Sequence, residues 1–315
     1  MRGLVYRSTG SWYEVEEHTS KKFYSCRLAG KMKLEKAELT NPLAVGDQVE
    51  FEPENETNGI IHKILPRKNY IVRQSPKSKY QLHLIAANID QLILVTTLVN
   101  PDLKPGFIDR FLLSTESQNI PVILLFNKSD LNQAVDTKKF EEFKLIYEDI
   151  GYTVLKISCL QNVGIELLEN KMMGLTSLFC GQSGVGKSSV INKLVPDLSL
   201  RTGLMSTYSG KGTHTTTFAE MFYWGEHSRI IDTPGIKSLS FNNLEIMDVA
   251  HNFREFFKAS AQCKFGAQCT HRNEPACHVI ELVRSGLINA QRYLNYITML
   301  DEIEAQNYWE RKKTF

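Results

Sequence analysis

The sequence predicts a multidomain protein that consists of a small N-terminal β-barrel, a central α/β domain and a C-terminal α-helical domain. Three observations predict this order. Short strand-like runs fill residues 1–68, buried apolar runs alternate with helical patterns over residues 84–240, and residues 241–315 carry helical patterns without a strand signal. At 315 residues the chain is long enough for two or three domains, each with its own core.

The composition is that of an ordinary soluble globular protein. Hydrophobic residues make up 42% of the chain, and the formal net charge of +2 neither requires nor excludes a nucleic-acid partner. No apolar run approaches the roughly 18–20 residues that a membrane span needs, and the N-terminus lacks a signal-peptide pattern. We therefore expect a cytoplasmic, monomeric protein with neither a membrane nor a DNA partner.

The N-terminal region is predicted to be a barrel because its strand candidates are short and closely spaced. These candidates lie at residues 3–5, 12–15, 22–28, 47–52 and 60–65. We prefer an OB-like barrel, although a small SH3-like barrel produces the same pattern. The basic, proline-containing stretch at residues 69–83 is predicted to be a solvated linker.

The central region repeats a pattern of strand, loop and helix. Strands buried on both faces are predicted at residues 91–98, 122–126, 154–157, 176–180 and 230–231. Residues 107–118 and 138–150 have apolar positions at helical spacing. Such alternation predicts a mostly parallel sheet that binds its ligand at the carboxyl ends of the strands.

Residues 181–188 match the phosphate-binding pattern G-x-x-x-x-G-K-[ST] in full. Its glycines let successive backbone N–H groups converge on a phosphate, helped by the N-terminus of the following helix. Lys187 is expected to reach the β- and γ-phosphates, and the Ser188 hydroxyl to bind Mg²⁺. The predicted nucleotide-binding residues of this loop are Gly181, Gln182, Ser183, Gly184, Val185, Gly186, Lys187, Ser188 and Ser189.

A second motif, N-K-x-D, follows the buried strand at residues 122–126. It indicates that the base of the bound nucleotide is guanine. A carboxylate at Asp130 accepts both the ring N–H and the exocyclic amine of guanine, a pair of donors that adenine does not present. Ser158 and Cys159 end the next strand and resemble the segment whose backbone N–H contacts the guanine oxygen, although Cys159 fits nearly as well as an ordinary core residue. The motif residues are Asn127, Lys128, Ser129 and Asp130.

A magnesium motif, D-x-P-G, occupies residues 232–235. Asp232 is expected to hold Mg²⁺ through water, and the Gly235 N–H to contact the γ-phosphate. The glycine-flanked residues 210–217 suit a switch segment, in which we assign Thr215 to Mg²⁺. Ordinary GTPases begin with the phosphate loop, but here the guanine motif precedes it. The order predicts a circularly permuted P-loop GTPase domain.

The C-terminal region contains the pattern Cys263-x5-Cys269-x-His271-x5-Cys277. Three thiolates and one imidazole form the ligand set of a closed, structural tetrahedral zinc site, whose metal stabilises a segment with little core. The alternative is three buried cysteines without a metal. Helices are predicted over residues 244–258 and 290–311. The apolar stripe of the second helix is expected to pack in the core rather than form a recognition surface: Tyr293, Tyr296, Ile297 and Leu300.

Together, the N-terminal β-domain, the permuted motif order, the G-x-G-x-H-T-T-T segment at residues 210–217 and the Cys/His cluster resemble the ribosome small-subunit-dependent GTPase A family, RsgA. The resemblance covers essentially the whole chain. It implies an assembly factor that binds the small ribosomal subunit and its rRNA during late maturation, with a slow GTPase that the subunit stimulates. The Cys263–Cys269 spacing is one residue longer than in the family pattern, which leaves His278 open as a ligand.

The residue that performs hydrolysis is not the usual one. Many GTPases carry a glutamine directly after D-x-x-G to position the attacking water, but this chain has Ile236 there. We therefore expect slow intrinsic hydrolysis and assign His214 as the catalytic residue, because an imidazole can orient water or accept its proton. A structural histidine is the alternative on chemistry alone, and the resemblance of the switch segment to that of the family favours catalysis.

The residues alone leave three alternative functions open. The first is a GTPase stimulated by the small subunit, and the second is a GTP-dependent RNA-binding switch with negligible turnover, which Ile236 favours. The third is a P-loop ATPase or kinase, against which Asp130 argues. Contacts of the barrel with rRNA follow from the resemblance alone, and plausible positions for them are Trp12, Tyr13, Lys21, Lys22, Arg67 and Lys68.

Overall fold

The computed structural model of the protein describes residues 1–30, 41–74, 82–198, 219–233 and 244–311. In these residues strands come first, strands and helices alternate in the middle, and helices alone follow residue 244. This order agrees with the predicted fold class. None of the helices in the described ranges is long and apolar enough to cross a membrane.

The N-terminal strands close into the predicted barrel. Their order is β1-β2-β3-β5-β4, and β4 pairs again with β1. The closed order of five strands, with β3 and β5 parallel, is that of an OB-like barrel. Alternate residues of β3 are buried, as expected for a strand with one face on a core. The strands are β1 (Arg2–Ser8), β2 (Tyr13–Glu17), β3 (Phe23–Leu28), β4 (Gln48–Pro53) and β5 (Asn58–Ile64).

Part of the interval predicted as a linker, residues 69–83, belongs to a pair of strands. Strands β6 (Tyr70–Gln74) and β7 (Leu82–Ala87) form a separate antiparallel two-stranded sheet. Ile71 and Leu84 are each only 2% exposed. Burial of these apolar side chains explains why residues 70–74 form a strand rather than a solvated connection.

The central sheet has the order β10-β9-β8-β11-β13-β12, in which only β12 runs antiparallel to its neighbour. Its strands are β8 (Gln91–Thr96), β9 (Val122–Phe126), β10 (Thr153–Lys156), β11 (Thr176–Gly181), β12 (Glu220–Tyr223) and β13 (Arg229–Asp232). Every residue of β8 and β9 is buried, which confirms strands covered on both faces. The covering helices are α1 (Pro105–Glu116), α2 (Ala134–Asp149), α3 (Ile165–Met172) and α4 (Lys187–Leu194).

The C-terminal region folds into helices around the four residues of the Cys/His pattern. The stretch predicted as one helix at residues 244–258 is two helices that meet at Phe253, whose extended backbone ends the first. Tyr296 and Leu300 are fully buried among the cysteines, so the stripe on the last helix is core, as predicted. The helices are α5 (Ile246–Asn252), α6 (Arg254–Ser260), α7 (His278–Arg284) and α8 (Ala290–Arg311).

Candidate nucleotide site and metal centre

The phosphate loop lies between the end of β11 and the start of α4, at the carboxyl edge of the sheet. Gly186 has a left-handed backbone, with φ of +86°, and a Cβ there would lie 2.4 Å from Nδ2 of Asn127. A Cβ on Gly181 would lie 2.4 Å from the carbonyl oxygen of Val95 on β8. Glycine is therefore required at both positions because neighbouring strands and loops come so close.

Lys187 and Asp232 meet at the base of this loop. Asp232 ends β13 and lies opposite Phe179 of the adjacent strand β11. The ammonium group of Lys187 forms an ion pair with the Asp232 carboxylate, and the two side chains are only 10% and 15% exposed. The carboxylate of Asp232 and the hydroxyl of Ser188, the residue after Lys187, are hard oxygen donors of the kind that Mg²⁺ prefers.

The guanine motif holds the phosphate loop directly. Asn127 donates its side-chain amide to the carbonyl of Val185 at 3.0 Å, and Lys128 donates its ammonium to the carbonyl of Gly184 at 2.6 Å. Lys128 also donates to the carbonyl of Asn100, in the loop after β8, at 2.7 Å. The loops that follow three neighbouring strands, β9, β8 and β11, are thereby fixed to one another.

One polar atom of this motif is buried without a partner. Oδ1 of Asn127 has no hydrogen bond within the described part of the chain, and the residue is 4% exposed. A buried acceptor left unpaired costs roughly 1–3 kcal/mol. Asn127 lies at the wall of a cleft. An unpaired acceptor there fits a binding site in which the ligand supplies the missing hydrogen bond.

An open cleft of about 580 Å³ lies beside the motif, a volume typical of sites for small ligands. The Asp130 carboxylate reaches its wall and accepts a hydrogen bond from the buried hydroxyl of Ser158. Cys159 lines the cleft as well, and burial raises the pKa of its thiol to about 11, so it is a neutral thiol. The residues that line the cleft are Asn127, Lys128, Asp130, Leu131, Cys159, Leu160, Gly186, Ser189, Asn192 and Lys193.

The structure therefore brings the guanine motif, the end of β10 and the phosphate loop to one cleft. Sequence reasoning missed Asn192 and Lys193, which lie one turn beyond Ser189 on α4 and so face the same side of that helix. The predicted residues His214, Thr215 and Gly235, together with Ile236, lie outside the described residues. Their assigned roles stay predictions.

The Cys/His cluster assembles as predicted from its spacing. Cys263, Cys269, His271 and Cys277 are buried, and their ligand atoms all lie within 4.8 Å of one another. Nδ1 of His271 lies 3.4 Å from Sγ of Cys277 and 3.8 Å from Sγ of Cys263. Zinc–sulfur bonds of about 2.3 Å place tetrahedral ligand atoms roughly 3.5–3.8 Å apart, so the donor set and its spacing fit zinc.

The alternative ligand His278 is not part of this group. Its Nδ1 lies 3.3 Å from a carboxylate oxygen of Glu281, one turn along α7. The stripe of α8 instead supports the loop that carries His271, because Tyr293 donates to the carbonyl of His271 at 2.8 Å and Tyr296 to that of Thr270 at 2.7 Å. Burial raises the pKa of the Cys269 thiol to about 12, so forming the thiolate in this position requires a cation.

Comparison with known proteins decides the family. The model of the RsgA GTPase matches residues 64–242, and the model of the RsgA N-terminal domain matches residues 2–61. The chain belongs to the RsgA GTPase family. It is a GTP hydrolase, and its family implies that it binds GTP and GDP with Mg²⁺.

Relatives match over nearly the whole length. RsgA 2 of Bacteroides thetaiotaomicron is 42% identical over 308 residues, which cover 98% of this chain and 99% of that protein. The RsgA of Flavobacterium johnsoniae is 44% identical over 306 residues, or 96% and 93% of the two chains. Both are named small ribosomal subunit biogenesis GTPases.

Solved structures share the fold. YjeQ from Thermotoga maritima has a TM-score of 0.77 and 34% identity, covering 96% of this chain and 98% of that one. YloQ, described as a circularly permuted GTPase, has a TM-score of 0.73 and 28% identity, covering 97% and 95%. The circularly permuted GTPase fold that the motif order predicted and the family that the combined features resemble are both confirmed.

Proposed function

We propose that this protein is a GTPase of small ribosomal subunit biogenesis that binds the subunit through its rRNA, acts in late maturation and is stimulated by it. One observation carries the proposal: the guanine motif is hydrogen-bonded to the phosphate loop at one cleft, in a chain collinear with relatives that are named for this process. The site of action is then the cytoplasm, and we expect the protein to act as a monomer.

The cleft binds the nucleotide in this proposal. Asp130 accepts the two donors of the guanine edge, and the backbone N–H of Cys159 lies near the guanine oxygen, whereas the N–H of Ser158 donates to the carbonyl of Val163 at 3.0 Å. The phosphate loop and Lys187 hold the β- and γ-phosphates. The ion pair with Asp232 holds the ammonium group of Lys187 at the loop. When the nucleotide binds, a phosphate oxygen replaces the Asp232 carboxylate as the partner of this group.

Ser188, Thr215 and Asp232 are the proposed Mg²⁺ residues, and Gly235 is the proposed γ-phosphate contact. A bound Mg²⁺ neutralises charge that develops on the phosphates. His214 orients the attacking water or accepts its proton. Ile236 offers no such group, so His214 is the proposed source of this function. In this proposal the bound subunit brings His214 into place, which accounts for stimulation by a partner.

The Cys/His cluster is the proposed site of one structural zinc ion. All four ligands come from the protein, so no position is left for a substrate. For the domains we propose boundaries at 1–68, 84–240 and 241–315. The connection at residues 69–83 contains β6 and the first two residues of β7, and the pairing of these strands joins it to the central domain. The barrel is the proposed rRNA-binding part.

Phosphate release from GTP and from ATP, each with and without small ribosomal subunits, tests this function. A steep rise in GTP turnover with subunits is the expected result. Binding of GTP without such a rise would instead favour the GTP-dependent RNA-binding switch, and a preference for ATP would overturn the guanine assignment.

A further inference from the structure

A row of charged residues crosses from the barrel into the central sheet. Glu14 on β2 lies opposite Arg7 on β1, Arg7 opposite Glu220 on β12, and Glu220 opposite Asp232 on β13. Residues directly opposed on neighbouring antiparallel strands project from the same face, with Cβ atoms about 4.5–5.5 Å apart. The row therefore ends at the proposed magnesium residue.

Glu220 is the link between the two domains in this row. Its carboxylate lies 3.7 Å from the guanidinium of Arg7, and its side chain is 26% exposed. Burial raises the pKa of Glu220, the Arg7 charge opposes that shift, and the carboxylates of Glu14 and Asp232 add to it. These charges place Glu220 in the electric field of Asp232, on the side of β13 away from the phosphate-loop strand β11.

A second contact keeps the strands of the row together. The Tyr6 hydroxyl on β1 accepts a hydrogen bond from Nε of Arg229 on β13 at 2.9 Å. The Tyr6 and Tyr223 rings pack with their centroids 5.4 Å apart. Because β1 contacts both β12 and β13, the position of the barrel determines how Arg7 faces Glu220.

We propose that Glu220 is a positioning residue that acts through Asp232 to strengthen Mg²⁺ binding, and that Arg7 of the barrel weakens this effect by neutralising Glu220. The inference rests on the proposed role of Asp232. A negative charge beside Asp232 adds to the attraction that a divalent cation experiences, and a half-buried pair is screened less than an exposed one. A ligand that draws Arg7 away from Glu220 thus raises magnesium affinity without contact with the nucleotide.

Magnesium titrations of a complex with a fluorescent GDP analogue, using the full chain, test this proposal. Glu220→Gln is expected to raise the magnesium concentration at half-saturation about 3- to 10-fold, and Arg7→Gln to lower it about 2- to 5-fold. GDP affinity in EDTA is expected to stay unchanged in both variants. Glu220→Asp keeps the charge and is expected to restore most of the affinity.

Glu14→Gln is the matched control, because it removes the same charge two strands further from Asp232 and is expected to shift the midpoint less than about 2-fold. An unchanged midpoint in Glu220→Gln overturns the proposal, and so does an equal loss of affinity in EDTA. Asp232→Asn distinguishes a failure of the proposed role of Asp232 from a failure of the inference about Glu220. If it keeps the full magnesium response, the assignment of Asp232 fails; if it loses the response while Glu220→Gln does not, only the present inference fails.

Discussion

The guanidinium of Arg292 on α8 donates to the carboxylate of Asp109 on α1 at 2.5 Å, and both side chains are almost completely buried. Arg292 also donates to Glu255 on α6 at 2.5 Å, while Asp109 accepts from the hydroxyl of Tyr147 at 2.8 Å. The nearby carboxylates raise the pKa of Arg292 against the effect of burial, so it stays charged. The C-terminal helices are thus held to the central domain through a buried, hydrogen-bonded charge.

Arg292→Met is expected to destabilise the protein by about 3–5 kcal/mol, because removal of one partner leaves the Asp109 carboxylate buried without its counter-charge. Urea unfolding followed by circular dichroism measures the change. Arg110→Met is the control, since the pair of Arg110 with Glu302 is partly exposed and such pairs contribute about 0–1 kcal/mol. Equal unfolding midpoints for the two variants would contradict the role of the buried pair.

Asp130→Asn is expected to weaken GTP binding by about 10²- to 10⁴-fold, because two hydrogen bonds to a charged acceptor are lost, each contributing roughly 1.5–3 kcal/mol. An amide also presents a donor, which suits the oxygen that xanthine carries in place of the amine of guanine. Binding of GTP and xanthosine triphosphate to the variant is the measurement.

Asp136→Asn provides the control for that change. Asp136 lies in the first turn of α2 and accepts from the backbone N–H of Gln133, away from the cleft. Its substitution is expected to leave both affinities unchanged. If Asp130→Asn bound GTP as tightly as the unmodified chain, the base would not be recognised by Asp130.

Local motifs made much of the site predictable. Asn127, Asp130 and Lys187 each follow or end a strand signal, and the carboxyl ends of parallel strands meet at one edge whatever the order of the chain. The OB-like barrel was harder to distinguish, because its pairing of β3 with β5 depends on contacts that no local pattern encodes. Short strands such as β12, with only four residues, give little periodic signal.

Contacts between distant residues could not be predicted in this way. Asp109 and Arg292 are 183 positions apart, and each alone is an ordinary charged residue on a helix. The opposition of Arg7 and Glu220 depends on the pairing of the barrel with β12, which is a tertiary arrangement. The break at Phe253 was missed because apolar spacing continues across it from α5 to α6.

His214→Ala is expected to bind GTP normally and to lose subunit-stimulated turnover, because Ile236 offers no group that replaces the imidazole. GTP affinity and phosphate release with small subunits are the two measurements. His227→Ala is the control, since His227 is exposed in the turn between β12 and β13 and is expected to keep full stimulation. Unchanged stimulated turnover in His214→Ala would remove the catalytic assignment.

Loss of the proposed zinc ion is expected to unfold the region around α5–α8, because Cys263, Cys269 and Cys277 lie inside its core cluster and His271 is buried beside them. Without a cation, the buried thiols lose the interactions that hold the loops between α6 and α7 together. Zinc content, measured by mass spectrometry, is expected to fall from one ion per chain to none in Cys269→Ser, with increased protease cleavage after residue 244. Cys159→Ser changes a thiol of the nucleotide cleft and is expected to retain its zinc. Full zinc content in Cys269→Ser would rule out this ligand set.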